Sequence, residues 1–415
     1  MRTRGDFDWL IFICAAILIV VGLGLIYSVF HPQPGAETAG AKNPYFIRQL
    51  IWAVVGFAAM LAGFAVPFRY YESLAYVTYA VCTLMLIVVL FIGTGEGTQR
   101  WIELGPMRIQ PSEFMKIAMV FAWARVLSGQ RGGSDRARKV MLALGLSLVP
   151  FLLVLRQPDL GTAIVIAVIA LPVLYWRGVR GYRILYFISP VVATLLIVSG
   201  EKITGNPWPF GIYIVIVIVV AYLKRSDIRA SVTLVAANLG IGVLLPVAWG
   251  HLKGYQQERI ISFLDPGSNR LDEGWQVFQS KIAIGSGGLT GKGFLFGSQK
   301  ALEFLPAKHT DFIFSVLGEE EGFIGALFVL VLFGVLILRA LSLANKAKGE
   351  FTSTVCIGIA AYFFFQSLIN VAMTTGMAPV TGIPLPFVSY GGSSLIVSCF
   401  AVGLLLNCSV RWYEY

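Results

Sequence analysis

Twelve apolar runs, centred on residues 9–30, 47–66, 74–92, 111–127, 140–155, 160–176, 184–199, 209–223, 231–249, 321–340, 352–374 and 388–408, punctuate this chain. A helix needs about 20 apolar residues to cross the hydrocarbon layer, where backbone groups must be satisfied within the protein. The runs therefore predict an all-α polytopic membrane protein of about 10 to 12 transmembrane helices, those around residues 147 and 216 being the least regular in length. Composition agrees, with 57% hydrophobic and 13% charged residues and a mean hydropathy of +0.77, against about 25% charged in a soluble domain. The run from Trp9 to Phe30 is too long for a signal-peptide core and reads as the first span.

The net charge of +10 sits in short connections. Arg2, Arg4, Arg69, Arg131, Arg136, Arg138, Lys139, Arg177, Arg180, Arg183, Lys224, Arg225, Arg229, Lys346, Lys348 and Arg411 fall in alternate loops. By the positive-inside rule that face is cytoplasmic, with both termini on it. These cations read as topology signals and headgroup contacts, so no nucleic acid is expected as a partner. Cys14, Cys82, Cys356, Cys399 and Cys408 lie in or at the ends of spans without a Cys-x-x-Cys pair, which indicates no disulfide framework and no metal site.

One long polar stretch, residues 250–320, then faces outward as a large extracytoplasmic loop, together with shorter loops around 31–44 and 93–110. A loop of that length implies work. No ATP or nucleotide-sugar pool is available on that side, so kinases, ATPases and nucleotide-sugar transferases are excluded. The substrate must arrive activated.

Within the stretch, Gly285-Ser286-Gly287-Gly288-Leu289-Thr290-Gly291-Lys292-Gly293 resembles a phosphate loop but has Ser at the first Gly position and Gly where Ser or Thr must hold magnesium. It reads as a tightly turning segment. His309, Thr310 and Asp311 precede an apolar run. Asp311 at the water–membrane boundary suits a general base, or alternatively a helix cap or a partner for a cation. His309 reads as a hydrogen-bonding neighbour.

Glu113 and Lys116 open the span that begins Pro111-Ser112-Glu113. Three residues apart, they project from one helix face. An ionised group at bilayer depth costs about 2.5 to 3.5 kcal/mol, so it faces a cavity and pairs. They form either a structural ion pair or a site at which Lys116 meets an anionic group entering from the lipid. Arg48, and Arg100 beside Trp101, lie near the same mouth as interfacial anchors or as further substrate contacts.

Four blocks resemble the SEDS proteins (shape, elongation, division and sporulation), and within them the rod-shape determining branch. They are Gly97-Thr98-Gln99-Arg100-Trp101-Ile102 with Pro111 to Lys116; Gln157-Pro158-Asp159-Leu160-Gly161-Thr162; Lys281 to Gly288 leading to Phe304 through Phe314; and Gly382-Ile383-Pro384-Leu385-Pro386-Phe387-Val388-Ser389-Tyr390-Gly391-Gly392-Ser393-Ser394. The likeness runs in order over nearly the whole chain as one integral membrane domain, 1–415. It implies a peptidoglycan glycosyltransferase that polymerises lipid II at the outer face of the bacterial cytoplasmic membrane, beside a class B penicillin-binding protein and other membrane proteins of an elongation complex. It implies Asp311 as the catalytic carboxylate, a functional Trp101, and polar cavity positions at Glu113 and Lys116. Arg48, Arg100, His309 and Thr310 complete the expected substrate-binding set. A divalent cation, Mg or Mn, is compatible with a pyrophosphate leaving group. A lipid II transporter is the rival expectation, and the division or sporulation branch the rival assignment. The family commonly has about ten spans, so residues 184–229 read as an extra helix pair that leaves the topology of the motif loops unchanged.

Overall fold

The computed structural model describes residues 5–31, 44–94, 99–105, 107–129, 133–179, 189–190, 192–200, 205–206, 208–223, 228–251, 254, 257, 261, 273–298 and 309–413. Outside them lie Gly97-Thr98, Phe304 to Lys308, much of the 250–320 stretch, parts of the 31–44 loop and of the 184–229 pair, and the cations Arg2, Arg4, Arg131, Arg180, Arg183, Lys224 and Arg225.

Among the described residues seven helices are long and apolar enough to span a membrane. They are α1 (Trp9–Phe30), α2 (Pro44–Ala65), α3 (Phe68–Ile92), α5 (Gly133–Arg156, with the qualifying stretch from Asp135), α11 (Gly322–Lys346), α12 (Glu350–Thr374) and α13 (Gly392–Arg411). The remaining helices are α4 (Pro111–Leu127), α6 (Leu160–Trp176), α7 (Trp208–Leu223), α8 (Ile228–His251), α9 (Glu273–Gly287) and α10 (Ile313–Glu320). Apolar stretches of α6, α7 and α8 add three shorter candidates. The chain is an all-α, multi-pass membrane protein. A two-stranded hairpin, β1 (Ile102–Leu104) and β2 (Met107–Ile109), pairs antiparallel across Gly105. The sequence pattern had shown only a loop there.

The chain packs as two compact units. In the first, residues 1–177, 279–377 and 381–415, α4 and α12 are buried along much of their length. On α2, Leu50, Val54, Phe57 and Leu61 form an exposed stripe at helical spacing, as a lipid-facing surface requires. The opposite face of α2 meets α13 through small residues. A Cβ on Gly63 would lie 2.8 Å from the Phe400 carbonyl oxygen, and one on Gly403 would lie 2.1 Å from that of Met60. Lipid tails are as apolar as side chains, so close backbone approach of this kind carries membrane helix association. Asn407 of α13 adds donations to the Gly63 carbonyl at 3.0 Å and the Val66 carbonyl at 2.5 Å.

The second unit comprises residues 178–278 and 378–380 and includes α7 and α8. Its apolar helices share a polar link, in which Ser189 Oγ lies 2.7 Å from the Tyr213 hydroxyl and donates to Asn238 Oδ1 at 3.0 Å. Asn238 Nδ2 donates to the Leu234 carbonyl at 2.8 Å, so the buried amide is satisfied on both sides. Helical residues 189–190 and 192–200, with α7, fall inside the expected pair 184–229.

Candidate functional site

The site is assembled on the loop that joins α12 to α13, residues 381–391. Two polar side chains one turn apart on α12 grip its first half. Gln366 Nε2 donates to the Pro384 carbonyl at 3.1 Å and Asn370 Nδ2 to that of Ile383 at 2.7 Å. From α2, Gln49 donates to the Ser389 carbonyl at 3.4 Å and accepts from the Gly391 amide at 3.3 Å. Gly22 of α1 lies so close that a Cβ would stand 2.6 Å from the Phe387 carbonyl oxygen. Phe387 itself has φ +64°, a conformation costly for a bulky residue. Packing of its ring against Phe363 at 5.4 Å and Phe333 at 6.5 Å holds it there.

Against this loop lies the segment His309–Asp311. Three consecutive carbonyls are each held by a separate donor. The Tyr390 amide donates to His309 O at 2.9 Å, Ser389 Oγ to Thr310 O at 2.6 Å, and Asn370 Nδ2 to Asp311 O at 3.0 Å. Ser389 Oγ is in turn fixed by the Leu385 amide at 2.8 Å. The half-buried Asp311 turns its carboxylate toward Gly382, with Oδ2 at 3.4 Å from where a Cβ would sit. Gly382 has φ +69°, so glycine leaves that side of the carboxylate open and lets the chain turn. Helix α10 takes Phe312 as its N-cap, without a hydrogen bond from that side chain.

Around His309 an aromatic cluster joins the C-terminal end of α1 to the N-terminal end of α2. Its ring centroid is 5.2 Å from Phe30, 5.5 Å from Tyr45 and 5.7 Å from Tyr390, while Phe30 and Tyr45 stack at 4.5 Å. The exposed Arg48 bears on Tyr390. Burial pushes the Tyr390 phenol up from its ordinary range and the Arg48 guanidinium opposes that shift. The structure thus gathers Arg48, His309, Thr310 and Asp311.

Of the other expected residues, Glu113 and Lys116 reach the same loop through Gln366 and Arg100 borders it by way of α6, while Trp101 stands apart. Lys116 Nζ donates to Glu113 Oε1 at 2.6 Å and to Gln366 Oε1 at 2.8 Å, with both charged residues only 1% exposed. Through Gln366 the pair leans on Pro384. Arg100 donates to the Pro158 carbonyl and lies 3.9 Å from Asp159 Oδ1. Asp159 caps α6, accepting from the Thr162 amide at 3.1 Å. A Cβ on the next glycine, Gly161, would fall 2.3 Å from the Thr381 carbonyl oxygen. Trp101 is half-buried and backbone-paired with Thr94.

Sequence reasoning missed Gln49, Gln366, Asn370, Ser389 and Tyr390 as individual contributors. A signal existed for two of them, since Gln366 and Asn370 stand four apart on one face of an apolar span, where polar side chains are costly without a task. At the far end of α10, Ser28 Oγ donates to both oxygens of Glu320 at 2.6 and 2.7 Å. Glu319 Oε1 accepts from Lys292 Nζ at 2.7 Å and from the amide and hydroxyl of Ser298 at 2.8 Å.

Fold and site define a helical membrane protein with a backbone-clamped carboxylate at one end of its bundle. The family FTSW_RODA_SPOVE, described as Cell cycle protein, matches residues 8–208 and 209–414. The chain is 36% identical over 393 residues to the peptidoglycan glycosyltransferase MrdB of Escherichia coli strain K12, covering 94% of this chain and 91% of that one. It is 32% identical over 456 residues to the peptidoglycan glycosyltransferase RodA of Treponema pallidum strain Nichols, covering 99% and 100%. Among solved structures, a chain of a peptidoglycan synthase complex studied for the coordination of polymerization and crosslinking superposes with a TM-score of 0.70 at 28% identity, over 99% of each chain. The chain belongs to this family, the SEDS proteins. It is a peptidoglycan glycosyltransferase of the RodA-like branch.

Proposed function

We propose that this glycosyltransferase polymerises lipid II at the outer face of the bacterial cytoplasmic membrane during cell elongation, with Asp311 as its general base. Asp311 takes the proton of the acceptor GlcNAc 4-hydroxyl as that oxygen attacks the anomeric carbon of a lipid-linked MurNAc. The new C–O bond forms with inversion, the bond to phosphate breaks, and undecaprenyl pyrophosphate carries away the electron pair. The proton passes from Asp311 to the external solution.

The observation that carries this reading is the setting of Asp311. Glu113, Asp159, Glu319 and Glu320 are at most 2% exposed, whereas Asp311 is half-buried, backed by three anchored carbonyls and faced by a glycine. A base held in this way loses little to reorganisation. Arg48, exposed beside Tyr390, is the cation disposed to meet the departing pyrophosphate, and Lys116 acts from behind the loop through Gln366. Among the described residues no three His, Cys, Asp or Glu side chains gather as a metal site. A divalent cation, Mg or Mn, would therefore come with the pyrophosphate, and no step here runs through it.

The outer-face assignment follows from the alternation of basic loops, which also puts both termini in the cytoplasm. Likeness to a chain from a complex in which polymerization and crosslinking are coordinated supports a class B penicillin-binding protein as partner, alongside other membrane proteins of the elongation machinery. The test is polymer formation from labelled lipid II by the purified chain with its transpeptidase partner. Wild type forms glycan strands, and Asp311→Asn, nearly isosteric but not basic, forms none. An Asn variant of full activity would overturn the assignment, and movement of lipid II across vesicles without any polymer would favour a transporter.

A further inference from the structure

Asn370 is fully buried on α12 and uses one amide nitrogen twice, for the Asp311 carbonyl at 3.0 Å and the Ile383 carbonyl at 2.7 Å. Its Oδ1, in contrast, is buried with no hydrogen-bond partner among the described residues. An orphaned buried acceptor is unfavourable. A side chain that bears this cost on one atom is retained for what the other atom does. That other atom joins the two sides of the carboxylate's surroundings, the backbone of Asp311 itself and the residue after Gly382, toward which Asp311 Oδ2 points.

We propose that Asn370 is the positioning residue of the catalytic carboxylate. By binding the carbonyls of Asp311 and Ile383 through one nitrogen, it fixes the distance between the Asp311 backbone and the loop, and so the direction in which the carboxylate meets the acceptor hydroxyl. Tyr390 N and Ser389 Oγ hold the two preceding carbonyls, but Asn370 alone of the three holds that of Asp311. Gln366, one turn earlier, grips the same loop at Pro384 without a hydrogen bond to the 309–311 carbonyls, and Ser367, buried on the same helix with its hydroxyl donating to the Phe363 and Phe364 carbonyls, serves as the internal control. The inference rests on Asp311 being the base.

The experiment measures initial rates of glycan formation from labelled lipid II by the full chain in complex with its transpeptidase partner. Asn370→Ala and Asn370→Asp are compared with Ser367→Ala and Asp311→Asn. Misplacing a reacting group by about 1 Å costs on the order of 100-fold, so both Asn370 variants are expected to lose kcat to about that extent. KM for lipid II should stay within about threefold, since no ground-state contact is removed. The pH profile of kcat should shift in both variants, because the surroundings of the base change. In the Asp311→Asn background, lipid II binding should not respond to Asn370→Ala. An unchanged kcat overturns the inference. So does a rise in KM alone, which would make Asn370 a substrate contact, or an equal loss of kcat in Ser367→Ala, which would make the packing of α12 as a whole responsible. Asn370→Asp keeps the volume, so it decides the matter if the alanine variant fails to fold. Failure of both to fold would make the residue structural and overturn the inference. A fully active Asp311→Asn sinks the reading of the base, whereas an inactive Asp311→Asn beside an active Asn370→Ala sinks only the inference about Asn370.

Discussion

Lys116 and Glu113 lie 2.6 Å apart in the first turns of α4, each 1% exposed. Removing one member of a buried pair leaves the other as an uncompensated charge, while replacing both with neutral groups of similar size avoids that penalty. Lys116→Met is therefore expected to lower stability by about 3 to 5 kcal/mol, and the double variant Lys116→Met/Glu113→Gln to recover most of the loss, as read by thermal unfolding in detergent. If the stable double variant is still inactive, the pair matters to chemistry as well as to folding. At Gly382, whose φ is +69°, alanine costs about 1 to 2 kcal/mol and sets a methyl 3.4 Å from Asp311 Oδ2. Gly382→Ala should lower the rate of polymerisation more than it lowers the melting temperature, and equal loss of both would deny that the carboxylate needs open space on that side. At this scale local spacing showed some contacts and not others. Glu113 and Lys116 were legible as a pair because i and i+3 share a helix face, whereas the span-boundary position of Asp311 left a base, a cap and a cation partner open until the family resemblance was added. Asn370 and Ser389 were not legible, because their partners lie 59 and 79 residues away, and no local spacing reports a contact of that range.

The glycine-rich segment after α9 illustrates the same limit for an element. Its composition suggests a tight turn, and turns are there, with Gly288, Gly291 and Gly293 at positive φ. Its larger role is to let two backbones meet. The Lys292 and Gly293 amides donate to the Glu319 and Glu320 carbonyls at 3.0 and 2.9 Å, and the Gly288 and Leu289 carbonyls accept from Phe323 and Ile324 at 2.9 and 3.1 Å. These bonds satisfy both sides of the break between α10 and α11, which would otherwise leave helix-end groups unpaired. A periodic pattern shows that helices exist, whereas the break appears only once its bonding partner is known. Gly287 and Gly285, two residues apart in α9, separate packing from helix propensity. A Cβ on Gly287 would fall 1.9 Å from the Gly318 carbonyl oxygen, whereas one on Gly285 meets nothing within 4 Å. Gly287→Ala is expected to destabilise by about 1 to 3 kcal/mol through overpacking against α10. Gly285→Ala should be neutral or stabilise by up to about 1 kcal/mol. Thermal unfolding of the two variants side by side tests this, and equal effects would show that α9 does not hold α10 in place.

The first unit as a whole carries the clamped Asp311 segment at one end and its ties between chain termini at the other. Helix α1, 22 residues long, rises about 33 Å. Its C-terminal end meets His309 through Phe30 and Glu320 through Ser28. At its other end Asp8 caps the helix and accepts from Arg339 of α11 at 2.5 and 2.9 Å, while the Asp8 amide donates to Ser409 of α13 at 3.3 Å. Asp8 is 3% exposed on its side chain and Arg339 40%, so the pair is screened on one side and its worth lies below that of a buried pair. Arg339→Ala is expected to lower stability by about 1 kcal/mol. Because sites this far apart contribute independently, kcat/KM for polymerisation should stay within about threefold of wild type. Measuring unfolding and polymerisation on the same preparation separates two views of the molecule. A stability loss with kinetics intact means that the end holding the termini is scaffold. A tenfold loss of kcat at unchanged stability would instead mean that α1 transmits the state of that end to the loop under Asp311, with Gly22 against Phe387 as the point of contact.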